Sequence, residues 1–331
     1  MPEMMPRRQL GTNGPWVSAV GFGGAVLSPG YYEPVDDATA IDTLRYALDQ
    51  GVTLIDTSDV YGLGHNERVI ARAIAGRRDQ VVLASKFGWV VDGSSGTEVH
   101  TNYDLPGVRA NGRPEYVRQC IDGSLQRLGV EYLDLYYQHF PDPGTPIEET
   151  VGAMAALVAQ GKVRHIGLCN VDAAALRRAH ATHPIAVVEN EYSLWARTPE
   201  TGVLPVCRDL GIGFVAWAPL GSGFLANEMH AVEAGDFRAW QPCFKGENLR
   251  ANADRFAPLR AFAKDIGVTP AQLALAWLLH RRPQVVPIPG MTQRWQIDEN
   301  VAATGVVLDA AVLRRLDELA PPGLAAGEEL L

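Results

Sequence analysis

Short β-branched runs alternate with amphipathic stretches along most of this chain. The apolar runs are SAVGFG (18–23), TLID (53–56), VVLASK (81–86), LDLYYQ (133–138), HIGLC (165–169), AVVENE (186–191), GFVAW (213–217) and VVPIP (285–289). Between and after them, apolar positions recur at the 3.6-residue period of a helix. The helical stretches begin at DDATAIDTLRYALDQG (36–51), NERVIARAIAG (66–76), PEYVRQCIDGSLQRLG (114–129) and PIEETVGAMAALVAQG (146–161). They continue with VDAAALRRAHA (171–181), TGVLPVCRDLG (201–211), TPAQLALAWLLHR (269–281) and RWQIDENVAATG (294–305). Many stop on a glycine, as helices do. RRQLG and PWVSAVG flank TNG ahead of all this and predict a hairpin. Each strand is apolar on both faces, as parallel strands covered by helices are. Eight strand–helix units predict an α/β fold, a (β/α)8 TIM barrel, over 1–331 as one domain. No GxGxxG follows the first strand, which argues against an open dinucleotide-binding sheet.

Two segments exceed ordinary barrel loops: 87–113 after the third strand and 218–251 after the seventh. Both leave strand C-terminal ends, where barrel enzymes build their sites. A last helix is expected over Val306–Leu319, then a tail, PPGLAAGEELL, that frays or docks late.

Composition narrows the function classes. The 331 residues carry a formal net charge of −9, which disfavours a broad basic surface for nucleic acid. The start, MPEMMPRRQLG, shows no apolar core of a secretory leader, and no apolar run is long enough to span a membrane. Cys120, Cys169, Cys207 and Cys243 are scattered, with no CxxC pair. Free thiols in a cytoplasmic protein, as monomer or homo-oligomer, are expected, with no metal site.

The chemistry begins at IDTSDVY (55–61). Asp56 closes one strand and Tyr61 follows in its loop; Lys86 and His139 close the next two. Neighbouring strand ends of a barrel converge on one mouth, so these four side chains meet there. A tyrosine titrates near ~10 and donates poorly unless its phenolate is stabilised. A buried ammonium lowers that value, and a carboxylate keeps the ammonium charged. A histidine across the mouth can bond the same substrate oxygen. Singly, a strand-end Asp is also a helix cap, and a lone His a satisfied polar residue. Together, at successive strand ends, they describe a device for protonating a carbonyl oxygen.

IDTSDVYGLGHNERVIARAI, VLASKFG, LDLYYQHFPDP, GKVRHIGLCN, VENEYSLWAR, WAPLGSGFL and PIPGMTQRWQIDEN resemble the aldo-keto reductases, in order and over nearly the whole chain. GKVRHIGLCN and NEYSLW are most similar to bacterial members that also resemble potassium-channel β subunits. The resemblance implies a barrel that binds a nicotinamide cofactor without a Rossmann fold. It implies Tyr61 as general acid, Lys86 and Asp56 as its tuning pair, and His139 as the group that positions the carbonyl. It also implies cofactor contacts from Gly24, Asp56, Cys169, Asn170, Glu189 and Trp217, and from Pro289 and Gly290. Cys169 and Glu189 stand where family members usually carry Ser and Gln. Glutamate can still accept from the carboxamide NH2 but cannot donate. Trp217 offers a larger stacking surface than the usual Tyr or Phe. Pro219-Leu220-Gly221-Ser222-Gly223 matches the family's pyrophosphate loop. In MTQRWQ (Met291, Thr292, Arg294 and Gln296 among its residues) only Arg294 is basic, where many relatives have several residues gripping the 2′-phosphate of NADP. Glu299 and Asn300 match the adenine-side pair. NADP(H) is therefore expected, with NAD(H) the alternative.

Other features read more simply. HRR (280–282) is a basic helix end. Trp89, Trp195 and Trp240 are candidates to line a substrate pocket; Trp89, close after Lys86, is favoured, and Trp195 and Trp240 read alternatively as core or lid packing. Asn66-Glu67 is expected to start a helix. The function expected is oxidoreduction of a small carbonyl or alcohol. Its rivals are an NAD-linked sugar or alcohol dehydrogenase and a slow-turnover redox-sensing binding subunit.

Overall fold

The computed structural model describes residues 5–33, 35–105, 107–233, 235–281 and 285–330. Residues 1–4 of the start, Arg282 of the HRR run and Leu331 of the tail lie outside the described residues. The chain opens with a hairpin, β1 (Arg7–Gln9) and β2 (Trp16–Ser18), paired antiparallel. The order then runs β3 (Phe22–Gly23), α1 (Asp37–Asp49), β4 (Leu54–Asp56), α2 (His65–Ile74), β5 (Val82–Phe87), β6 (Trp89–Val90), β7 (Thr97–Glu98), β8 (Arg109–Ala110) and α3 (Pro114–Leu128). It continues with β9 (Leu133–Gln138), α4 (Ile147–Ala159), β10 (Val163–Cys169), α5 (Ala173–Thr182), β11 (Val187–Glu191), α6 (Val203–Leu210) and β12 (Gly213–Trp217). Last come α7 (Gly246–Asp265), α8 (Pro270–Arg281), β13 (Val285–Pro287), α9 (Arg294–Ala302) and α10 (Ala310–Leu319).

Eight parallel strands form one sheet in the order β3-β4-β5-β9-β10-β11-β12-β13. Its edges meet to make a (β/α)8 barrel. Gly21 N–H donates to Pro287 O (2.9 Å) and Gly23 N–H to Pro289 O (3.1 Å). Pro287 and Pro289 accept from β3 but have no N–H to give back, so the seam carries only the β3-to-proline half of its ladder. Gly23 is required at this seam, since a Cβ there would lie 2.6 Å from Ile288 O. Both edge strands, at two and three residues, are shorter than the apolar runs that predict them.

Strand alternation explains the two-sided apolar character. Leu54, Leu135, Val187 and Val215 point into the barrel, where Leu10 and Val17 of the hairpin end seal its floor. Their neighbours Ile55, Tyr136, Val188 and Phe214 point outward into the layer beneath the helices. With the N-terminal end plugged, the C-terminal strand ends open into the long loops.

Those loops hold more structure than the sequence pattern suggests. Within 87–113, β8 pairs antiparallel with both β6 and β7. The 218–251 segment ends inside α7, a 20-residue helix that periodicity missed. Its Pro258 reads as a breaker, yet the helix continues through it against the core. Arg281, read as a basic helix end, bridges to Asp317 at 2.7 Å. The tail is docked: Leu330 is buried, and Glu329 Oε1 accepts from Arg197 N–H at 2.9 Å. No helix among the described residues is long and apolar enough to cross a membrane.

Candidate active site

Asp56 closes β4, Lys86 lies at the penultimate position of β5, His139 follows β9, and Tyr61 sits in the turn before α2. Because β4, β5 and β9 are successive neighbours, the four come together at the barrel mouth. All are buried, with exposures of 3% for Asp56, 1% for Lys86, 6% for His139 and 8% for Tyr61. Lys86 Nζ donates to Asp56 Oδ2 and, at 3.2 Å, to Thr57 O. It lies 5.3 Å from the centre of the Tyr61 ring. The Tyr61 and His139 rings meet edge to face, their centres 5.9 Å apart. His139 Nδ1 is 3.2 Å from Ser58 Oγ, and its backbone N–H donates to Phe87 O at 2.7 Å.

A third acid joins this group. Glu189 Oε1 lies 3.2 Å from Lys86 Nζ, so two carboxyls share one ammonium. Asp56 Oδ1 and Glu189 Oε2 are buried without a hydrogen-bond partner. The sequence reading gave Glu189 only an accepting role toward a carboxamide and missed this contact.

Burial sets the titration of the group. It opposes the Lys86 charge, yet Asp56 and Glu189 hold that pKa well above the ordinary value. Burial raises Asp56 despite Lys86, and raises Glu189 to about 8, with the Asp56 charge adding to it. Burial and then Lys86 hold His139 well below its ordinary value, so the imidazole is neutral at pH 7. Burial pushes the Tyr61 phenol well above its ordinary value, with Lys86 pulling it back. The sequence reading had the Lys86 effect in the right direction but underweighted burial. The resting phenol is protonated.

Asp56, Tyr61, His139 and Glu189 border a cavity of about 470 Å³, with Lys86 behind them. Of the residues singled out from sequence, Asp56, Tyr61, Trp89, His139, Cys169, Asn170, Glu189, Trp217, Pro219, Leu220, Ser222, Gly223, Pro289, Gly290, Thr292 and Gln296 line it. Trp89 meets His139 edge to face at 5.1 Å. Trp195 instead stacks in the core with Phe244 and Phe256, and Trp240 is exposed. Sequence reasoning missed Tyr31, Tyr32, Tyr103, Phe237, Arg238, Gln293 and Leu330, which also line the cavity. They come from loops and the tail, where no periodicity marks an inward face.

A family model for the aldo/keto reductase family matches residues 19–321. The chain belongs to that family. It is 42% identical over 322 residues, 96% of its own length and 90% of the relative's, to a protein described as probable aldo-keto reductase 1 from Glycine max. Among solved structures, it resembles the glycerol dehydrogenase from Gluconobacter oxydans (TM-score 0.80, 26% identity, 96% of each chain). It also resembles an aldo-keto reductase from Klebsiella pneumoniae in complex with NADPH (TM-score 0.72, 29% identity, 95% of this chain and 96% of that one). The family uses a nicotinamide cofactor.

Across the cavity, Asn170, Trp217 and the 218–223 turn form a second group of wall residues. Asn170, at φ 54°, donates from Nδ2 to His139 O at 3.0 Å and accepts from Trp217 Nε1 at 3.2 Å. Its amide thus ties the histidine to the indole. Ala218, Gly221, Ser222 and Gly223 all hold φ between 45° and 91°, a turn whose backbone suits an anion. Arg238 is the one Lys or Arg among the described residues lining the cavity, and it pairs with Asp236 at 2.5 Å.

Gly24, Gly221, Met291, Arg294, Glu299 and Asn300 lie outside that lining, whereas Gln296 lies within it. Gly24 is a packing position: a Cβ would sit 2.5 Å from Asp56 O and 2.8 Å from Asn66 Oδ1. Gly221 backs onto Trp195, and Met291 is buried in the outer core. Gln296 spends its carbonyl on Thr292 N–H (2.7 Å) and Gln293 N–H (3.1 Å), capping α9. Asn300 Oδ1 is buried without a partner, and Glu299 is half-buried on the same helix. Arg294 is exposed and forks onto Asp42 at 2.6 and 2.9 Å, away from the cavity lining. Among the described residues no group of three His, Cys, Asp or Glu is placed to hold a metal ion, and all four cysteines are unpaired.

Asn66 and Glu67 lie in the first turn of α2 without capping it. Asn66 accepts from Thr57 Oγ1 (2.6 Å) and donates to Gly24 O (2.8 Å) and Ser28 Oγ (2.9 Å). Glu67 accepts from Ser85 Oγ (2.7 Å) and Arg127 Nε (2.5 Å). The pair bolts the Tyr61 turn to two strands. Asn66→Ala takes a hydrogen bond from three buried partners, of which Ser28 Oγ keeps His65 Nδ1 at 3.0 Å, and is expected to cost about 2–4 kcal/mol in urea unfolding. A loss below about 0.5 kcal/mol would show the turn is held by other contacts.

Proposed function

We propose that this aldo/keto reductase interconverts an aldehyde or ketone and its alcohol with NADP(H), with Tyr61 as the general acid. The observation that carries this reading is the placement of Tyr61 and His139 on one cavity wall with the buried Lys86–Asp56 pair behind them. The residues present suit a nicotinamide cofactor. Glu189 Oε2 and Asp56 Oδ1 are orphaned acceptors beside the cavity floor, and Asn300 Oδ1 is another on α9. Trp217 supplies an aromatic wall, and the 218–223 turn supplies backbone for phosphates.

When bound, the nicotinamide supplies a hydride to the carbonyl carbon. The protein's part is the proton. Tyr61 gives its phenolic proton to the carbonyl oxygen as that oxygen gains electrons, and later recovers one from water. The Lys86 ammonium stabilises the phenolate left behind, and Asp56 keeps that ammonium charged. His139, neutral and tied through Nδ1 to Ser58, offers Nε2 to the same oxygen. Trp89, Phe140 and Leu330 give the substrate end an apolar wall that excludes water. A cytoplasmic setting and a single working domain are part of this reading. Oxidation of NADPH and NADH against a carbonyl panel, with the reverse reaction against polyols and alcohols, tests it. Activity with none of these, together with slow cofactor release, would support a redox-sensing binding subunit instead.

The Arg294–Asp42 fork supports a second reading, NAD-linked alcohol or polyol oxidation, in line with the similar glycerol dehydrogenase from Gluconobacter oxydans. The only basic residue of MTQRWQ rests on a carboxylate, and that carboxylate repels a 2′-phosphate. An exposed pair is worth about 0–1 kcal/mol, so Arg294 can swing to a phosphate at small cost. If it does, Arg294→Ala should weaken NADPH by about tenfold or more and leave NADH nearly unchanged. Asp42→Asn should strengthen NADPH a few-fold. Titration of Trp217 fluorescence measures each constant. Equal effects on both cofactors would remove the phosphate role and favour NAD.

A further inference from the structure

Glu189 is the most unusual feature of this site. A carboxylic acid stands at the floor of the cavity, 2% exposed, on a strand whose neighbours in register are Cys169 and Val215. Its Oε1 touches the ammonium that Asp56 also holds, and its Oε2 has no partner. The groups facing it are Asp56 from β4, Lys86 from β5, Tyr61 from the turn, Tyr137 from β9 and Cys169 from β10. Tyr137 and Cys169 are held neutral by burial, so one cation faces two acids. If both acids ionise, the buried group carries one net negative charge. If one keeps its proton, the group is neutral. Two carboxyls on one ammonium compete for that proton, as coupled acids do.

We propose that Glu189 links a proton to the redox state of the cofactor, ionising beside an oxidised nicotinamide and holding its proton beside a reduced one. This inference rests on the proposed reading that the cavity takes a nicotinamide. The oxidised ring carries a positive charge and the reduced ring is neutral. Only the oxidised ring compensates a net negative floor, so its binding expels the Glu189 proton. A glutamine at this position has no proton to release. The protonated acid also supplies the donor that an ionised one lacks, so Glu189 remains able to orient a carboxamide. In this role Glu189 is a positioning and charge-setting residue; Tyr61 still delivers the catalytic proton.

The sign follows from linkage. A group that is protonated in the free protein and ionised in the complex makes binding tighten as pH rises. The gain stops once pH exceeds the free-protein titration, which burial places above the carboxylate range. Dissociation constants for the oxidised and reduced cofactors, measured from about pH 6.5 to about pH 9.5, test this. Phosphate titrations common to both cofactors cancel in the ratio of the two constants. That ratio should shift toward the oxidised form by on the order of tenfold in the native protein, and by less than about twofold in Glu189→Gln. Calorimetry of the native protein in two buffers of different ionisation heat gives the proton count without relying on a variant. It should show proton release with the oxidised cofactor alone. A pH-independent ratio in the native protein, or the same slope in Glu189→Gln, would overturn the linkage while leaving cofactor binding intact. Absence of binding by either cofactor would instead overturn the functional reading, and the linkage with it.

Discussion

Replacing Tyr61 with phenylalanine is expected to lower carbonyl reduction by about 10²–10⁴-fold while cofactor affinity stays within a few-fold. The phenol is the proposed proton donor at the cavity wall, and phenylalanine keeps the ring. The edge-to-face contacts of that ring with Tyr31 (5.2 Å) and His139 (5.9 Å) survive the change, so the turn should hold its shape. Burial keeps the resting phenol protonated, which is the form a general acid needs. The loss should fall on kcat and kcat/KM alike, because the proton moves in the transition state. Reduction near the native rate in purified Tyr61→Phe would remove Tyr61 from the mechanism and leave His139 as the donor to test.

Lys86→Met should impair catalysis to a similar degree and also destabilise the protein. Methionine fills the space but leaves Asp56 and Glu189 buried without their shared cation. Removing one partner of a buried pair typically costs about 3–5 kcal/mol. The carboxyls answer by binding protons, so their folded-state pKa values lie above the unfolded value of about 4. Such groups favour the folded state at low pH, and that advantage is lost as pH rises through the folded pKa. The variant should therefore lose stability between about pH 5 and about pH 8.5 more steeply than the native protein. Its pH–rate profile should also lose the limb due to the phenol. Urea unfolding at several pH values, with initial rates alongside, gives both readouts. Full activity with an unchanged profile would break the chain from Asp56 through Lys86 to Tyr61.

Much of this was legible in the sequence, for identifiable reasons. Parallel strands buried on both faces read as unbroken apolar runs, and TLID, LDLYYQ and GFVAW could not hide among amphipathic helices. A barrel brings neighbouring strand ends together whatever the spacing between them. Polar residues at the ends of three successive strands were therefore a visible pattern. By contrast α7 was missed because Pro258 interrupts a polar stretch that only tertiary packing makes helical. The cavity residues Tyr31, Tyr103, Phe237 and Leu330 lie in loops, a one-turn 3-10 helix and the docked tail, whose inward faces follow no period.

The sequence by itself determined the barrel, its strand order and which side chains stand at its mouth, because hydrophobic period and chain order dictate them locally. The tertiary structure decided how those side chains share charge. Glu189 was expected to wait for a carboxamide, but it reaches the Lys86 ammonium already held by Asp56. Arg294 was expected at a phosphate, but it forks onto Asp42 of α1, 252 positions away in sequence. Pairings of this kind depend on distances of a few ångströms between side chains from different strands and helices. Coulomb energy and burial change steeply over that range, and sequence spacing does not encode it.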